Sequence, residues 1–220
     1  MLKSLVLLLA GFLLLIFPMK VISQNDPEGW EQVKVKNGIT FYTRHTETSR
    51  VKEFKAETTF NTSLSSIVAV FLDIPRYCEW VRDCKKIELI RNVNPNELYY
   101  HLEVKVPFPF DNRDMVQHVR IEQDPSTRWV TVNLENAAQY IPSEEDMVRM
   151  PVADGFYLLK PMISGQVEVL FQYQNDPGGG IPSWMVNMFI VESPMTTIAN
   201  LRSQVEKDPY RQAKIPWIED

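Results

Sequence analysis

The residues that most often carry catalysis or bind metals are few in this sequence and lie far apart. Its three histidines are His45, His101 and His118. The last two occupy the polar positions of alternating segments, where a histidine is usually a surface residue. The sequence has no paired Cys/His spacing and no HExxH, GxSxG, P-loop or GxGxxG motif. It therefore predicts a protein that is not an enzyme, without catalytic residues, cofactor or metal site.

A compact charged group, formed by Asp111, Arg113 and Asp114, follows a proline-rich PFPF segment. Charged side chains at the start of a strand often form a structural ion pair, and this is the interpretation that we favour. The alternative is a polar anchor that projects into a cavity and contacts a ligand. Arg113 is therefore also a candidate ligand-binding residue.

The two cysteines, Cys78 and Cys84, are close enough in sequence to form a disulfide. On one continuous helix their Cα atoms would lie about 9 Å apart, whereas a disulfide requires roughly 4.4–6.8 Å. A bridge therefore requires the helix to end between them. We favour the disulfide because an exported chain meets an oxidising compartment. The alternative is a pair of buried, reduced side chains.

The segment DPGGGIPSWMVNMFIVESPM, residues 176–195, combines three consecutive glycines with an unusually apolar run. Glycines before a helix can bind phosphate, but no lysine accompanies these and apolar residues follow them. We therefore interpret residues 178–180 as a hinge and Pro182 as the start of a helix. Ser193-Pro194 interrupts the apolar run, which predicts that the helix kinks or restarts there.

The helix that follows the glycines carries an apolar stripe at a period of 3.6 residues. Such a stripe most often packs against a core. Methionine thioethers adapt to irregular apolar ligands, and together with the hinge they favour a lid over an apolar cavity instead. The helix residues predicted to line that cavity are Trp184, Met188, Val191, Met195 and Ile198.

The rest of the chain alternates in a way that predicts an antiparallel sheet. Asn37-Gly38 separates two alternating segments and is typical of a type I′ hairpin turn. Ser63 precedes apolar residues spaced three and four apart, which predicts a capped helix that ends before Pro75. Alternation with period two is clearest at residues 166–174. The residues of this strand predicted to face the helix across the cavity are Val167, Val169, Phe171 and Tyr173.

This order of segments predicts an α+β fold. A curved antiparallel sheet carries a long C-terminal helix, residues 183 to about 207, laid across it. An internal apolar cavity forms where the helix is not packed flush against the sheet. No linker or internal repeat is visible, so we expect residues 24–220 to form one domain.

The first 23 residues have the layout of a secretory signal peptide, which we assign to residues 1–23. Lys3 precedes an apolar core at residues 5–17, and Ser23 stands at the expected cleavage position. The apolar core of about 13 residues is shorter than the roughly 20 that a membrane-spanning helix needs. We therefore predict an exported protein, periplasmic or secreted. The alternative, an uncleaved membrane anchor, rests on the unusual position of Lys20.

The chain has a formal net charge of −5 and no cluster of lysines and arginines. This charge argues against nucleic acid as a partner and against standing attachment to anionic lipid. Any membrane contact is therefore expected to be apolar and transient. We expect a monomer whose partner is a lipid or another hydrophobic small molecule.

Four segments resemble, in order, the START domain family, the lipid-transfer module related to steroidogenic acute regulatory protein. They are DIPRYCEWVRDC with Trp80; PFPF followed by Asn112-Arg113-Asp114; the stretch from Val148-Arg149 through Gly155 to Lys160-Pro161; and GGIPSWMVN at residues 179–187. Pro194 and Leu201-Arg202 stand at the positions expected beyond them. The similarity extends over nearly the whole chain after the leader.

The resemblance implies a helix-grip fold of the START/Bet v 1-like type, with a tunnel for one lipid or sterol. It also implies that the terminal helix and a neighbouring loop form a gate, and that binding needs no catalytic residues. The chain departs from the family in its export signal, because members with known ligands are mostly intracellular, and in its cysteine pair.

We therefore predict non-catalytic binding of a lipid, fatty acid or sterol-like molecule, with transfer as an extension of that function. One alternative is a cyclase- or aromatase-like enzyme of the same superfamily, in which Arg113, Asp114 or Tyr173 would be the candidates. The other alternative is an interaction module of the cell envelope that binds no ligand.

Overall fold

The computed structural model describes residues 28–47 and 49–220. The signal peptide predicted at residues 1–23 lies outside the described residues. Its cleavage and the export of the protein therefore stay predictions.

Ten strands of the described residues form one sheet. In chain order they are β1 (Glu31–Lys36), β2 (Ile39–Thr46), β3 (Ser49–Phe60), β4 (Cys84–Asn94), β5 (Glu97–Val104), β6 (Asn112–Gln123), β7 (Val130–Asn136), β8 (Met147–Arg149), β9 (Val152–Pro161) and β10 (Val167–Asp176). Nine of them lie side by side in the order β1-β2-β3-β10-β9-β7-β6-β5-β4, and each neighbouring pair is antiparallel. The short strand β8 pairs with β6 in parallel.

The helical segments are α1 (Leu64–Leu72), a 3-10 helix (Ile74–Glu79), α2 (Ser183–Phe189) and α3 (Glu192–Gln204). The first two connect β3 with β4 at the far edge of the sheet, so the chain passes across the sheet between these strands. Among residues 28–47 and 49–220, no helix is both long and apolar enough to cross a membrane.

Local sequence rules explain where the early elements begin and end. Asn37 and Gly38 both have positive φ, at 53° and 71°, as the type I′ turn between β1 and β2 requires. Ser63 caps α1, because its hydroxyl accepts a hydrogen bond from the Ser66 amide at 3.2 Å. Pro75 lies at the start of the 3-10 helix that follows α1. The predicted hairpin and the predicted capped helix are both confirmed.

The core lies between one face of the sheet and the helices α1 and α3. Ile67 of α1 and Leu201 of α3 are buried in the same apolar cluster as Phe41 and Leu159 of the sheet. Arg202 also ties α3 to the sheet, since its Nη1 donates a hydrogen bond to the carbonyl of Asn37, in the turn between β1 and β2, at 2.8 Å. The sheet therefore grips the C-terminal helix, as the predicted helix-grip fold requires.

The C-terminal helix differs in one respect from the single long helix expected at residues 183–207. It is divided into α2 and α3, which are separated at Ile190 and Val191. The restart expected at Ser193-Pro194 falls within the first turn of α3, where a proline removes no intrahelical hydrogen bond.

Candidate ligand-binding cavity

An internal cavity of about 920 Å³ lies between the inward face of the sheet and the helical segments. Small-molecule sites commonly enclose about 300–1,000 Å³. Tyr100, Leu102 and Val104 of β5 line it, because alternate residues of a strand point to the same side. The other inner walls carry apolar and aromatic side chains: Phe71, Tyr77, Trp80, Met115, Leu134, Tyr157, Phe171 and Tyr173. The cavity can therefore enclose a hydrophobic molecule.

The mouth of the cavity is formed by segments that do not belong to the sheet. They are residues 81–83, the β5–β6 loop at residues 105–110, and α2 with the first turns of α3. The charged residues of the lining all lie here and reach solvent: Arg82, Asp83, Lys105 and Glu192. The cavity thus has a charged rim and an uncharged interior.

Two of the four residues predicted on β10, Phe171 and Tyr173, line the cavity. Phe171 stacks on Tyr157 of β9 with ring centroids 3.9 Å apart. Val167 and Val169 lie on the same face of β10 but are buried in the packed core rather than in the cavity wall. β10 therefore runs from the packed core of the domain to the part that encloses the cavity.

None of the five helix residues predicted to line the cavity does so. Trp184 and Met188 point to solvent, with 62% and 58% of their surface exposed. Val191 and Met195 are partly buried against the core, and Ile198 is fully buried in it. The assignment of the cavity-facing stripe is corrected accordingly.

The stripe that does face the cavity lies beside the predicted one. It includes Val186, Ile190, Ser193 and Thr197, which follow one another at helical spacings of three and four. Ser193 and Thr197 are polar, so a search for the most apolar stripe passes over them. The spacing from Val186 through Ile190 was the signal that could have located this face.

Arg113 is buried, with 1% of its surface exposed, but it does not line the cavity. Its guanidinium donates hydrogen bonds to the carbonyl oxygens of Pro177 at 3.0 Å and Gly178 at 3.1 Å, and to that of Asp111. Neither the strand-start ion pair nor the polar anchor in the cavity describes this arrangement. Arg113 instead clamps the glycine segment that leads into α2.

His101 was expected at the surface and is buried instead. Its Nε2 lies 2.8 Å from Oδ2 of Asp114, and the same carboxylate oxygen accepts a hydrogen bond from Nε of Arg149 at 2.8 Å. Arg149 also donates to the Ile141 carbonyl at 3.1 Å, so it holds the chain that covers this side of the sheet. His101 alternates with the cavity-facing Tyr100, so the cluster lies on the opposite side of the sheet from the cavity. It stabilises the fold and cannot contact a molecule in the cavity.

Cys78 and Cys84 form a disulfide with Cα atoms 5.0 Å apart. The 3-10 helix ends at Glu79 and β4 begins at Cys84, as the bridge requires. The enclosed segment borders the cavity mouth and is joined to α3. The Arg82 amide donates to the Thr197 hydroxyl at 3.0 Å, and the Asn200 side chain donates to the Trp80 carbonyl at 3.1 Å.

The tyrosines of the cavity wall keep their protons. Burial raises the pKa of Tyr157 and of Tyr173, and the neighbouring Tyr100 raises each further. These phenols therefore remain protonated at neutral pH and cannot serve as bases. Among the residues described, no group of three or more His, Cys, Asp or Glu side chains is placed to hold a metal ion.

A large antiparallel sheet that grips a C-terminal helix over an apolar cavity defines a domain of the helix-grip class. The comparison with family models makes the assignment specific, because the START domain model matches residues 23–207. The chain belongs to the START domain family.

Relatives and solved structures agree with this assignment. The chain is 31% identical over 180 residues to uncharacterized protein PA1579 of Pseudomonas aeruginosa, covering 82% of this chain and 88% of that protein. It is 25% identical over 162 residues to the phosphatidylcholine transfer protein of Rattus norvegicus, covering 72% and 75% of the two chains. The structure of a STAR-related lipid transfer protein from Xanthomonas axonopodis superposes with a TM-score of 0.76 at 34% identity, covering 81% of this chain and 99% of the other. Human StAR-related lipid transfer protein 5, at 16% identity, shares the fold with a TM-score of 0.71, covering 82% and 88%.

Proposed function

We propose that this protein binds a lipid or a related hydrophobic molecule in its internal cavity, without catalysis, and transfers it between membranes. The observation that carries this proposal is the cavity of about 920 Å³ with apolar and aromatic inner walls. Burial of an acyl chain contributes about 0.8 kcal/mol per methylene, or roughly 11 kcal/mol for fourteen carbons before the entropic costs of binding. Such a ligand needs no charged contact inside the cavity.

The names of two relatives support lipid transfer. They are the phosphatidylcholine transfer protein and the STAR-related lipid transfer protein. Their shared fold and their identity to this chain make a hydrophobic ligand the expected cargo here.

The second part of the proposal is that α2 forms the gate. No residue of α2 is buried. Asn187 ties α2 to β3, where its Oδ1 accepts from the Lys52 amide at 2.9 Å and its Nδ2 donates to the Arg50 carbonyl at 3.4 Å. By contrast, α3 is held in the core by Ile198 and Leu201. Opening α2 about the break at residues 190–191 would uncover the cavity while α3 stays in place.

The third part concerns location. The leader at residues 1–23 supports export, and the disulfide between Cys78 and Cys84 is the kind of bond that persists in an oxidising compartment. We therefore propose a periplasmic or secreted protein. Cell fractionation combined with N-terminal sequencing of the purified chain tests this, because a cleaved chain begins near residue 24 and an anchored chain keeps Met1.

Native mass spectrometry of the protein purified from its own host tests the binding function. We expect a co-purifying hydrophobic molecule with one copy bound per chain. Leu134 lies on the inner wall, so Leu134→Trp is expected to fill part of the cavity and to reduce the loaded fraction. Met188→Trp adds the same bulk on the exposed face of α2 and should leave loading unchanged.

The two variants separate a ligand cavity from a filled core. If wild-type protein is reproducibly empty, and Leu134→Trp is as stable as Met188→Trp, the cavity is not a binding site. Reduced loading in Leu134→Trp alone supports binding inside the cavity.

A further inference from the structure

Four tyrosines converge at the inner end of the cavity, and their hydroxyls differ in one respect. Tyr77, Tyr100, Tyr157 and Tyr173 all line the cavity and are all buried. The Tyr77 hydroxyl donates to the Phe71 carbonyl at 2.7 Å, and that of Tyr173 lies 3.6 Å from the Met115 sulfur. In the described residues, the hydroxyls of Tyr100 and Tyr157 have no hydrogen-bond partner.

These two hydroxyls border the cavity space and are not sealed in the packed core. Polar side-chain atoms that are fully enclosed without a partner do occur in the described residues, as at Gln117 and Thr43, but neither tyrosine hydroxyl is among them. Each oxygen therefore retains contact with the hollow interior. A buried hydroxyl without a partner loses the free energy of its hydrogen bonds to water. A hydrogen bond to a polar atom of a bound molecule would compensate this loss at either hydroxyl.

The inner end of the cavity also excludes a charged ligand group. The charged residues of the lining lie at the rim: Arg82, Asp83, Lys105 and Glu192. A carboxylate or phosphate placed beside Tyr100 and Tyr157 would lose its hydration without gaining a cation. Burial raises the pKa of both phenols, so each keeps its proton and can donate it in a hydrogen bond.

We propose that Tyr100 and Tyr157 form a polar subsite for an uncharged acceptor oxygen, such as the carbonyl of an ester or amide, within the buried part of the ligand. The ligand class is then a neutral acyl ester or acyl amide, or a lipid that carries such a group between its chains and its head group. The charged rim would face any polar head group of the same molecule. This inference rests on the proposed function, since it assigns a ligand class to the same cavity.

Competition binding with three single-chain compounds tests the subsite. Methyl hexadecanoate, hexadecane and hexadecanoate are delivered from cyclodextrin at pH 7.5 and displace a fluorescent apolar probe from the protein. We expect the ester to bind about five- to tenfold more tightly than the alkane, which is the effect of one to two added hydrogen bonds. We expect the carboxylate to bind more weakly than the ester.

The Tyr100→Phe/Tyr157→Phe double variant is expected to lower the affinity for the ester to that for the alkane. Its affinity for the alkane should stay within twofold of the wild-type value, because both rings remain. The control is Tyr77→Phe, whose hydroxyl already has a backbone partner, and which should preserve the ester-to-alkane ratio.

An unchanged ester-to-alkane ratio in the double variant overturns the subsite. Tightest binding of hexadecanoate overturns the assignment of an uncharged group. Failure of the wild-type protein to bind either the ester or the alkane contradicts the proposed function itself, and is thereby distinguished from the other two results.

Discussion

The guanidinium of Arg113 lies directly against Gly179, the middle glycine of the segment that leads into α2. A Cβ atom on Gly179 would stand 2.9 Å from Nη2 of Arg113. Arg113 cannot easily move away, because it is buried and bonded to the Pro177 and Gly178 carbonyls. The glycines expected to act as a free hinge are therefore part of a fixed support, which is why the proposed gate opens at the break between α2 and α3 instead.

The first prediction follows from this contact. Gly179 has φ of +63°, a conformation that costs an L-residue about 1–2 kcal/mol, and the crowding against Arg113 adds to this. We expect Gly179→Ala to lower the free energy of unfolding by at least that amount and to lower Tm by several degrees, as measured by thermal and urea unfolding. Gly180→Ala is the control, because nothing lies within 4 Å of its Cβ position. Equal Tm values for the two variants would show that the Arg113 clamp does not constrain this segment.

The second prediction concerns the buried cluster on the outer side of the sheet. Asp114 is fully buried and accepts from both His101 and Arg149. In Asp114→Asn, the Arg149 side chain, which is only 9% exposed, loses its counter-charge, so we expect a loss of about 3–5 kcal/mol in the free energy of unfolding. The comparison is Glu135→Gln, which removes an exposed ion pair with Arg120 and should cost no more than about 1 kcal/mol.

Urea unfolding of the two variants gives both values. A loss below about 1 kcal/mol in Asp114→Asn would mean that the cluster is not held by its charge. The ligand affinity of both variants should stay close to that of the wild type, since the cluster lies behind the sheet and away from the cavity.

The third prediction concerns the disulfide. Closing so short a loop restricts the unfolded chain and contributes about 2–3 kcal/mol on the chain-entropy estimate. The bridge also holds residues 79–83, which bond to Thr197 and Asn200 of α3. In the Cys78→Ser/Cys84→Ser variant we expect lower stability and faster hydrogen exchange at residues 79–83 and in the first turns of α3. Wild-type protein under reducing conditions should show the same changes. Unchanged exchange in both samples would contradict a structural contribution of the bridge to the mouth.

Local rules predicted the local elements of this chain well. The Asn37-Gly38 turn, the Ser63 cap and the helix end between the cysteines each depend on a few neighbouring residues, and each is found where the pattern indicated. The family resemblance then supplied the correct overall fold, because its segments extend over most of the chain.

Two features depend on packing between residues distant in sequence, and the local sequence patterns did not predict them. The burial of His101 depends on a distant segment around Arg149 that folds over the outer side of the sheet. The orientation of the terminal helix was missed because two of its large apolar residues, Trp184 and Met188, lie on the solvent side of α2. Apolar periodicity alone assumes that apolar residues face inward, and Trp184 and Met188 depart from that rule.

The last prediction uses this exposed apolar face. Trp184 and Met188 of α2 stand next to the cavity mouth, and Phe108 of the β5–β6 loop is 97% exposed on the mouth itself. We expect these side chains to enter the membrane surface when cargo is exchanged, because partial burial of such large apolar groups contributes about 1–2 kcal/mol each. Trp184→Ser/Met188→Ser should therefore slow transfer of a fluorescent lipid between neutral vesicles by about tenfold or more, and leave lipid affinity in solution unchanged.

The control is Met162→Ser/Ile163→Ser, which removes two exposed apolar side chains at the β9–β10 turn, at the opposite end of β10 from the mouth. Since the chain is acidic, adding anionic lipid should not accelerate transfer. Equal transfer rates for the two double variants would contradict docking through α2.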